Sequence, residues 1–120
     1  MGETKSYAGS CHCGKVRYRV NADIEGPLIT CNCSICSRSG TVLTFAPADQ
    51  FALEQGSDAL TDYQFHKKNL HHLFCSTCGV RSFVRGTGPD GTKMCAINVR
   101  CLEGVELNSP KTTEFDGRSR

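Results

Sequence analysis

The chain has no tryptophan, and nowhere does it hold the roughly 20 consecutive apolar residues that a membrane-spanning helix needs. Its first residues, Met1-Gly2-Glu3-Thr4-Lys5-Ser6-Tyr7, lack the apolar core of a secretory signal, so a cytosolic location is expected. A dominant charge is also missing. Lys and Arg number 14 against 12 Asp and Glu, a net charge of +2, and the basic clusters Lys67-Lys68 and Arg118-Ser119-Arg120 read as solvated surface. Neither a nucleic acid nor a membrane is therefore expected as a partner. Long helices are absent too: no window of a dozen residues carries a helical hydrophobic period.

Cysteine, by contrast, is abundant, with nine in 120 residues. Packing does not require so many. A disulfide framework belongs to oxidising compartments, and an odd count leaves one thiol over; a reduced cytosolic chain uses such cysteines to bind metal.

The rest of the sequence predicts a mainly β fold of short antiparallel sheets in one small domain, residues 1–120, with no linker or low-complexity segment to divide it. Lys15 to Val20 alternates strictly and puts Val16, Tyr18 and Val20 on one face of a half-buried strand. Further strands are predicted over Leu28 to Thr30, Thr41 to Phe45 (closed by Pro47), Leu60 to Phe65, Leu70 to Phe74, Val80 to Arg85 and Met94 to Val99. Gln55-Gly56-Ser57-Asp58 has the composition of a hairpin turn, and Ser34 to Ser39 or Pro47 to Phe51 can each hold one helical turn.

Cysteine spacing carries the chemistry. Zinc takes thiolate ligands tetrahedrally, so ligands near in sequence must converge. Cys11 and Cys13, like Cys31 and Cys33, are two apart and share a face in extended chain. In Cys75-Ser76-Thr77-Cys78-Gly79 a tight turn brings positions i and i+3 together, and Gly79 supplies the positive φ that such a knuckle needs. The strand-like residues after it argue against a redox dithiol, which precedes a helix. Cys31-Asn32-Cys33-Ser34-Ile35-Cys36 offers three thiolates in six residues. Two pairs close a structural site, whereas a triplet leaves a position for water or substrate. The simplest partition puts Cys11, Cys13, Cys75 and Cys78 around one zinc and Cys31, Cys33 and Cys36 around a second. A histidine or another cysteine completing the triplet would make that site inert. Cys95 and Cys101 read as small buried hydrophobes, His12 as solvent-facing, and of His71 and His72 at most one faces the metals; His66 carries no signal.

Cys11-x-Cys13-Gly14, Cys31-x-Cys33-x-x-Cys36 and Phe74-Cys75-x-x-Cys78-Gly79, in this order, resemble the glutathione-dependent formaldehyde-activating enzyme family, which includes the centromere protein V domain. The resemblance extends to Gly14-Lys15-Val16-Arg17-Tyr18, Asn98-Val99-Arg100-Cys101-Leu102 and Phe115-Asp116-Gly117. It implies strongly bent sheets around zinc, a structural site at Cys11, Cys13, Cys75 and Cys78, and a catalytic site at Cys31, Cys33 and Cys36. It also implies a carbon–sulfur lyase reaction linking glutathione and formaldehyde to S-hydroxymethylglutathione.

The donor set points to sulfur independently. Three thiolates make zinc a weak Lewis acid, better suited to binding and deprotonating a substrate thiol than to making hydroxide. Arg38, just beyond the triplet, is a candidate for holding a substrate carboxylate, with an exposed loop arginine as its other reading. The competing function is a zinc-stabilised binding module without catalysis, and a redox or metal-buffering role is a third. A three-ligand site is also expected to lose its ion readily on purification.

Overall fold

A computed structural model describes residues 4–24, 28–31, 34–64, 70–87, 91–105 and 112–115, the last by backbone alone. The alternation around Tyr18 produces a strand, β2 (Arg17–Ala22), whose residues switch strictly between exposed and buried. It lies between β1 (Lys5–Ser10) and β5 (Phe51–Gln55) in a three-stranded antiparallel sheet.

Gly9 of β1 is paired with Tyr18, and a Cβ on residue 9 would collide with the Tyr18 ring. Glycine here makes room for the largest fully buried side chain of the core. The Tyr18 hydroxyl reaches across to donate to the Ser82 carbonyl at 3.3 Å. Burial pushes the phenol well above its ordinary pKa, so it is a neutral donor.

The remaining strands form a larger sheet. They are β3 (Leu28–Cys31), β4 (Leu43–Pro47), β6 (Leu60–Tyr63), β7 (Leu70–Cys75), β8 (Phe83–Thr87), β9 (Lys93–Asn98) and β10 (Thr112–Phe115), in the order β10-β3-β4-β9-β8-β7-β6. Every pairing is antiparallel except β10 with β3, which is parallel. One short helix, α1 (Ser34–Ser39), follows β3.

The two sheets meet through aromatic rings. Tyr18 and Phe51 come from the small sheet and Phe83 from the large one, with ring centroids 4.6 to 5.5 Å apart. The Arg85 guanidinium lies 5.0 Å from the Phe51 centroid, at the outer side of the trio.

The fold is thus mainly β, as the sequence predicts, but details differ: β1 and β5 are not among the predicted strands, and the strand predicted over Val80 to Arg85 begins at Phe83. Gln55 to Asp58 turns the chain but makes no hairpin: β5 belongs to the small sheet and β6 to the large one, so this turn is where the chain changes sheets. Pro47 is the last residue of β4 and pairs with Met94.

Candidate metal centre

Two turns build the centre. The first leaves β1 at Cys11, and the Cys11 N–H donates to the Val16 carbonyl at 3.1 Å, closing residues 12–16 into a bend in which Gly14 has φ +84°. Cys11 and Cys13 therefore converge through a tight turn and not through extended chain. The second leaves β7 at Cys75. Its N–H donates to the Val80 carbonyl at 3.1 Å, the Gly79 N–H donates to the Cys75 carbonyl at 2.8 Å, and Gly79 takes φ +80°. Both turns close with the same five-residue hydrogen bond. The Lys15 ammonium ties them together by donating to Thr77 Oγ1 at 3.1 Å.

The four thiols lie together. Their Sγ atoms are all within 4.8 Å of one another, and Cys11 to Cys13 and Cys13 to Cys75 are both 3.6 Å. A zinc tetrahedron with Zn–S near 2.3 Å has an S···S edge of about 3.8 Å, so the group can hold a metal ion of that kind with little movement. The backbone already supplies donors to sulfur: Val16 N–H to Cys11 Sγ at 3.4 Å, and Thr77 and Cys78 N–H to Cys75 Sγ at 3.4 and 3.5 Å. None of the described cysteines is in a disulfide.

The thiols ionise unequally. At Cys75 the Cys78 N–H, helped by that of Thr77, outweighs burial and holds the thiol below its ordinary range. At Cys78 burial opposes ionisation, but the Val80 and Cys13 N–H groups and the Cys11 and Cys75 thiols overcome it and bring the thiol down to about 6. At Cys13 the Lys15 N–H favours the thiolate, yet burial and its three thiol neighbours push it up to about 11. Four sulfurs this close cannot all carry charge unaided, and a bound cation removes that conflict.

The triplet is seen in part. Cys31 ends β3 and Cys36 lies in α1, both half-buried, while Cys33 lies outside the described residues. Beside α1 opens a cavity of about 290 Å³, lined by Ile35 and Ser39 of the helix, Tyr63 of β6, His72 and Phe74 of β7, and Arg81. Gly79 of the knuckle borders it as well, and a Cβ there would meet nothing within 4 Å. The cavity therefore runs from the helix bearing Cys36 to the turn bearing Cys75 and Cys78.

The histidines separate cleanly. His72 is buried and lines the cavity, its Nδ1 3.1 Å from the Tyr63 carbonyl, which fixes the Nδ1–H tautomer. Burial lowers its pKa, and the nearby Arg81 charge acts in the same direction. His71 lies on the outer face, 2.7 Å from the Asp62 carboxylate, and His12 is exposed. His66 lies outside the described residues.

Cys95 is buried in β9, as expected of a small core side chain, and burial raises its thiol pKa. Cys101 is only half-buried; its sulfur accepts from Asn98 Nδ2 at 3.6 Å and lies close enough to Cys11 and Cys78 to feel their charge.

Of the two readings of Arg38, the structure agrees with the exposed arginine. Arg38 is exposed and donates to the Ser34 carbonyl of its own helix at 2.8 Å. Arg81, which belongs to no motif in the sequence, lines the cavity. Asn98 had drawn notice only as part of a motif, yet its Nδ2 donates to the Arg81 carbonyl at 3.2 Å and its backbone N–H to the Ser82 carbonyl at 2.9 Å, holding this segment in place.

Comparisons with known proteins agree with this architecture. A crystal structure of a Rhodobacter sphaeroides protein superposes with a TM-score of 0.78 at 31% identity, covering 88% of this chain and 99% of that one. A Halomonas elongata protein, named provisionally as a glutathione-dependent formaldehyde-activating enzyme, is 32% identical over 78 residues, 58% of this chain. The match spans half the length of that relative. The family model described as glutathione-dependent formaldehyde-activating enzyme matches residues 6–117, nearly the whole sequence. By that match the chain belongs to the glutathione-dependent formaldehyde-activating enzyme family.

Proposed function

We propose that this protein is a zinc-dependent enzyme of the carbon–sulfur lyase type, joining or separating a thiol such as glutathione and a small aldehyde such as formaldehyde. In this reading Cys11, Cys13, Cys75 and Cys78 hold a structural zinc, and Cys31, Cys33 and Cys36 hold a second, catalytic one. The observation that carries it is the division of labour among cysteines: four thiols satisfy one tetrahedron by themselves, leaving Cys31 at the end of β3 and Cys36 on α1, the helix whose Ile35 and Ser39 line a ligand-sized cavity. Family membership supports the same chemistry.

Zinc held by three thiolates supplies a position where a substrate thiol is bound as thiolate, a better nucleophile toward a carbonyl carbon than the thiol. The chain's own residues shape the rest. Ile35, Phe74 and the Tyr63 ring give the cavity apolar walls that limit water around the reacting sulfur. His72, neutral at pH 7, adds no charge to compete with the incoming anion.

The test is exchange spectroscopy on glutathione and formaldehyde. The zinc-loaded protein should speed S-hydroxymethylglutathione formation and breakdown beyond the spontaneous rate, and Cys36→Ala should abolish the effect. Two zincs with four protein ligands each, and no acceleration with glutathione or other small thiols, would instead establish a binding module.

A further inference from the structure

The cavity has one strongly polar feature that the proposed chemistry at sulfur leaves unused. Arg81 lines it, and no carboxylate among the described residues pairs with the guanidinium, whose Nη2 is enclosed by protein without a hydrogen-bond partner among them. A guanidinium without a counter-charge beside apolar walls is costly, and an anionic ligand in the cavity would supply one. Asn98 pins the Arg81 backbone, so the base of this side chain is held by β9. The other described lining residues are apolar or neutral, and the buried His72 beside Arg81 stays uncharged near pH 7. Among its described lining residues the cavity thus has one cation and no anion.

The geometry points to Arg81 as the residue that selects the substrate, by holding a carboxylate on the thiol. The preferred thiol is one that carries a carboxylate a few bonds from sulfur. A guanidinium holds a carboxylate through charge-assisted N–H···O bonds, which orient the ligand as well as hold it. At about 290 Å³ the cavity sits at the low end of small-molecule sites, so it accepts one carboxylate-bearing arm and not a bulky body. The walls from Ile35, Tyr63 and Phe74 fit the short methylene stretch between the two ends, leaving sulfur toward α1. Arg81 is a binding and specificity residue here; it takes no part in bond making.

This inference rests on the proposal that the cavity beside α1 serves thiol chemistry, and its test separates the two. Binding of 3-mercaptopropionate, 2-mercaptoethanol and propionate is followed by NMR through the His72 ring and the Ser39 amide, on the zinc-loaded protein and on its Arg81→Met and Arg81→Lys variants. The wild type should bind 3-mercaptopropionate about tenfold or more tighter than 2-mercaptoethanol, the margin a charge-assisted hydrogen bond confers. Arg81→Met should erase that margin while leaving 2-mercaptoethanol binding as it was, and Arg81→Lys should keep only part of it. Propionate should perturb the same signals in the wild type alone, whether or not any thiol reacts. Equal affinity for the two thiols in the wild type overturns the inference without recourse to any variant, as does an undiminished margin in Arg81→Met. If neutral thiols are processed as well as acidic ones, the lyase reading stands and the Arg81 assignment falls. If propionate binds through Arg81 but no thiol adduct is made or broken, the reverse holds.

Discussion

The Sγ atoms of Cys13 and Cys75, separated by 62 residues in sequence, lie 3.6 Å apart and fasten the first turn of the small sheet to the knuckle of the large one. Cys75 is wholly buried. Replacing it with Ala removes a ligand from the closed set, and structural zinc binding is itself folding free energy. Cys75→Ala should lose one equivalent of zinc and melt about 10 °C or more below the parent. Zinc analysis and calorimetry check this; a parent-like transition with full metal content would show that these thiols do not form a structural site.

The triplet should behave differently. Cys31 and Cys36 are five positions apart, so a metal there closes a short loop and constrains little of the unfolded chain. Cys36→Ala should lower zinc content by one equivalent while shifting melting by only a few degrees, roughly what a 0.5–1 kcal/mol change produces. In the cobalt-substituted parent, added glutathione should change the sulfur-to-cobalt absorption, and in Cys36→Ala it should not. No response in the parent would count against an open site.

Gly9 faces Tyr18 with no room for a Cβ, and the ring packs on Phe51 and Phe83 while its hydroxyl donates to the Ser82 carbonyl. The ring cannot swing away. Gly9→Ala should therefore cost about 1–3 kcal/mol, the usual penalty for overpacking. Urea titration measures it, and a variant as stable as the parent would mean that the Tyr18 ring has another place to go.

His72 supplies a pH signature. Burial lowers its pKa from the ordinary 6.5, so the folded protein resists the proton that the unfolded chain accepts. Its contribution is fully present above pH 6.5 and is lost as pH falls from 6.5 toward the lower folded value. An NMR titration should give the His72 ring a midpoint below 6.5, and a midpoint at or above it would contradict the buried placement.

How much of this could be read in advance depended on whether the signal was local. Cysteine spacing is local, and it anticipated the group formed by Cys11, Cys13, Cys75 and Cys78, because each pair needs only its own turn to converge. Val16, Tyr18 and Val20 were equally plain, since β2 has one deeply buried face and one exposed. Leu60 to Phe65 alternates too, yet Thr61 and Tyr63 are exposed and Phe65 lies outside the described residues: β6 (Leu60–Tyr63) is an edge strand with little of the core against it. The turn at Gln55 to Asp58 was visible, but turn chemistry does not say which sheet receives the next strand. Lys5 to Ser10 has weak strand propensity and becomes β1 through its pairing with β2. Arg81 looks like any other arginine in sequence. Only the docking of the knuckle against α1 and β6 gives it a cavity to line.

The parallel pairing of β10 with β3 imposes an order of assembly. During synthesis the four-thiol group is complete in sequence once Cys78 has been made, and its two turns need no strand beyond β8 to hold them. Cys31 must wait. It ends a strand that, among the described residues, meets β4 through the pair Ile29 with Leu43, and its own partner in the ladder is Phe115, the last residue of β10. A contact between residues so distant in sequence forms late and slowly. The nascent chain can thus fasten its two sheets together well before the strand that carries Cys31 is flanked on both sides, and the triplet's geometry becomes final only as the last strand docks.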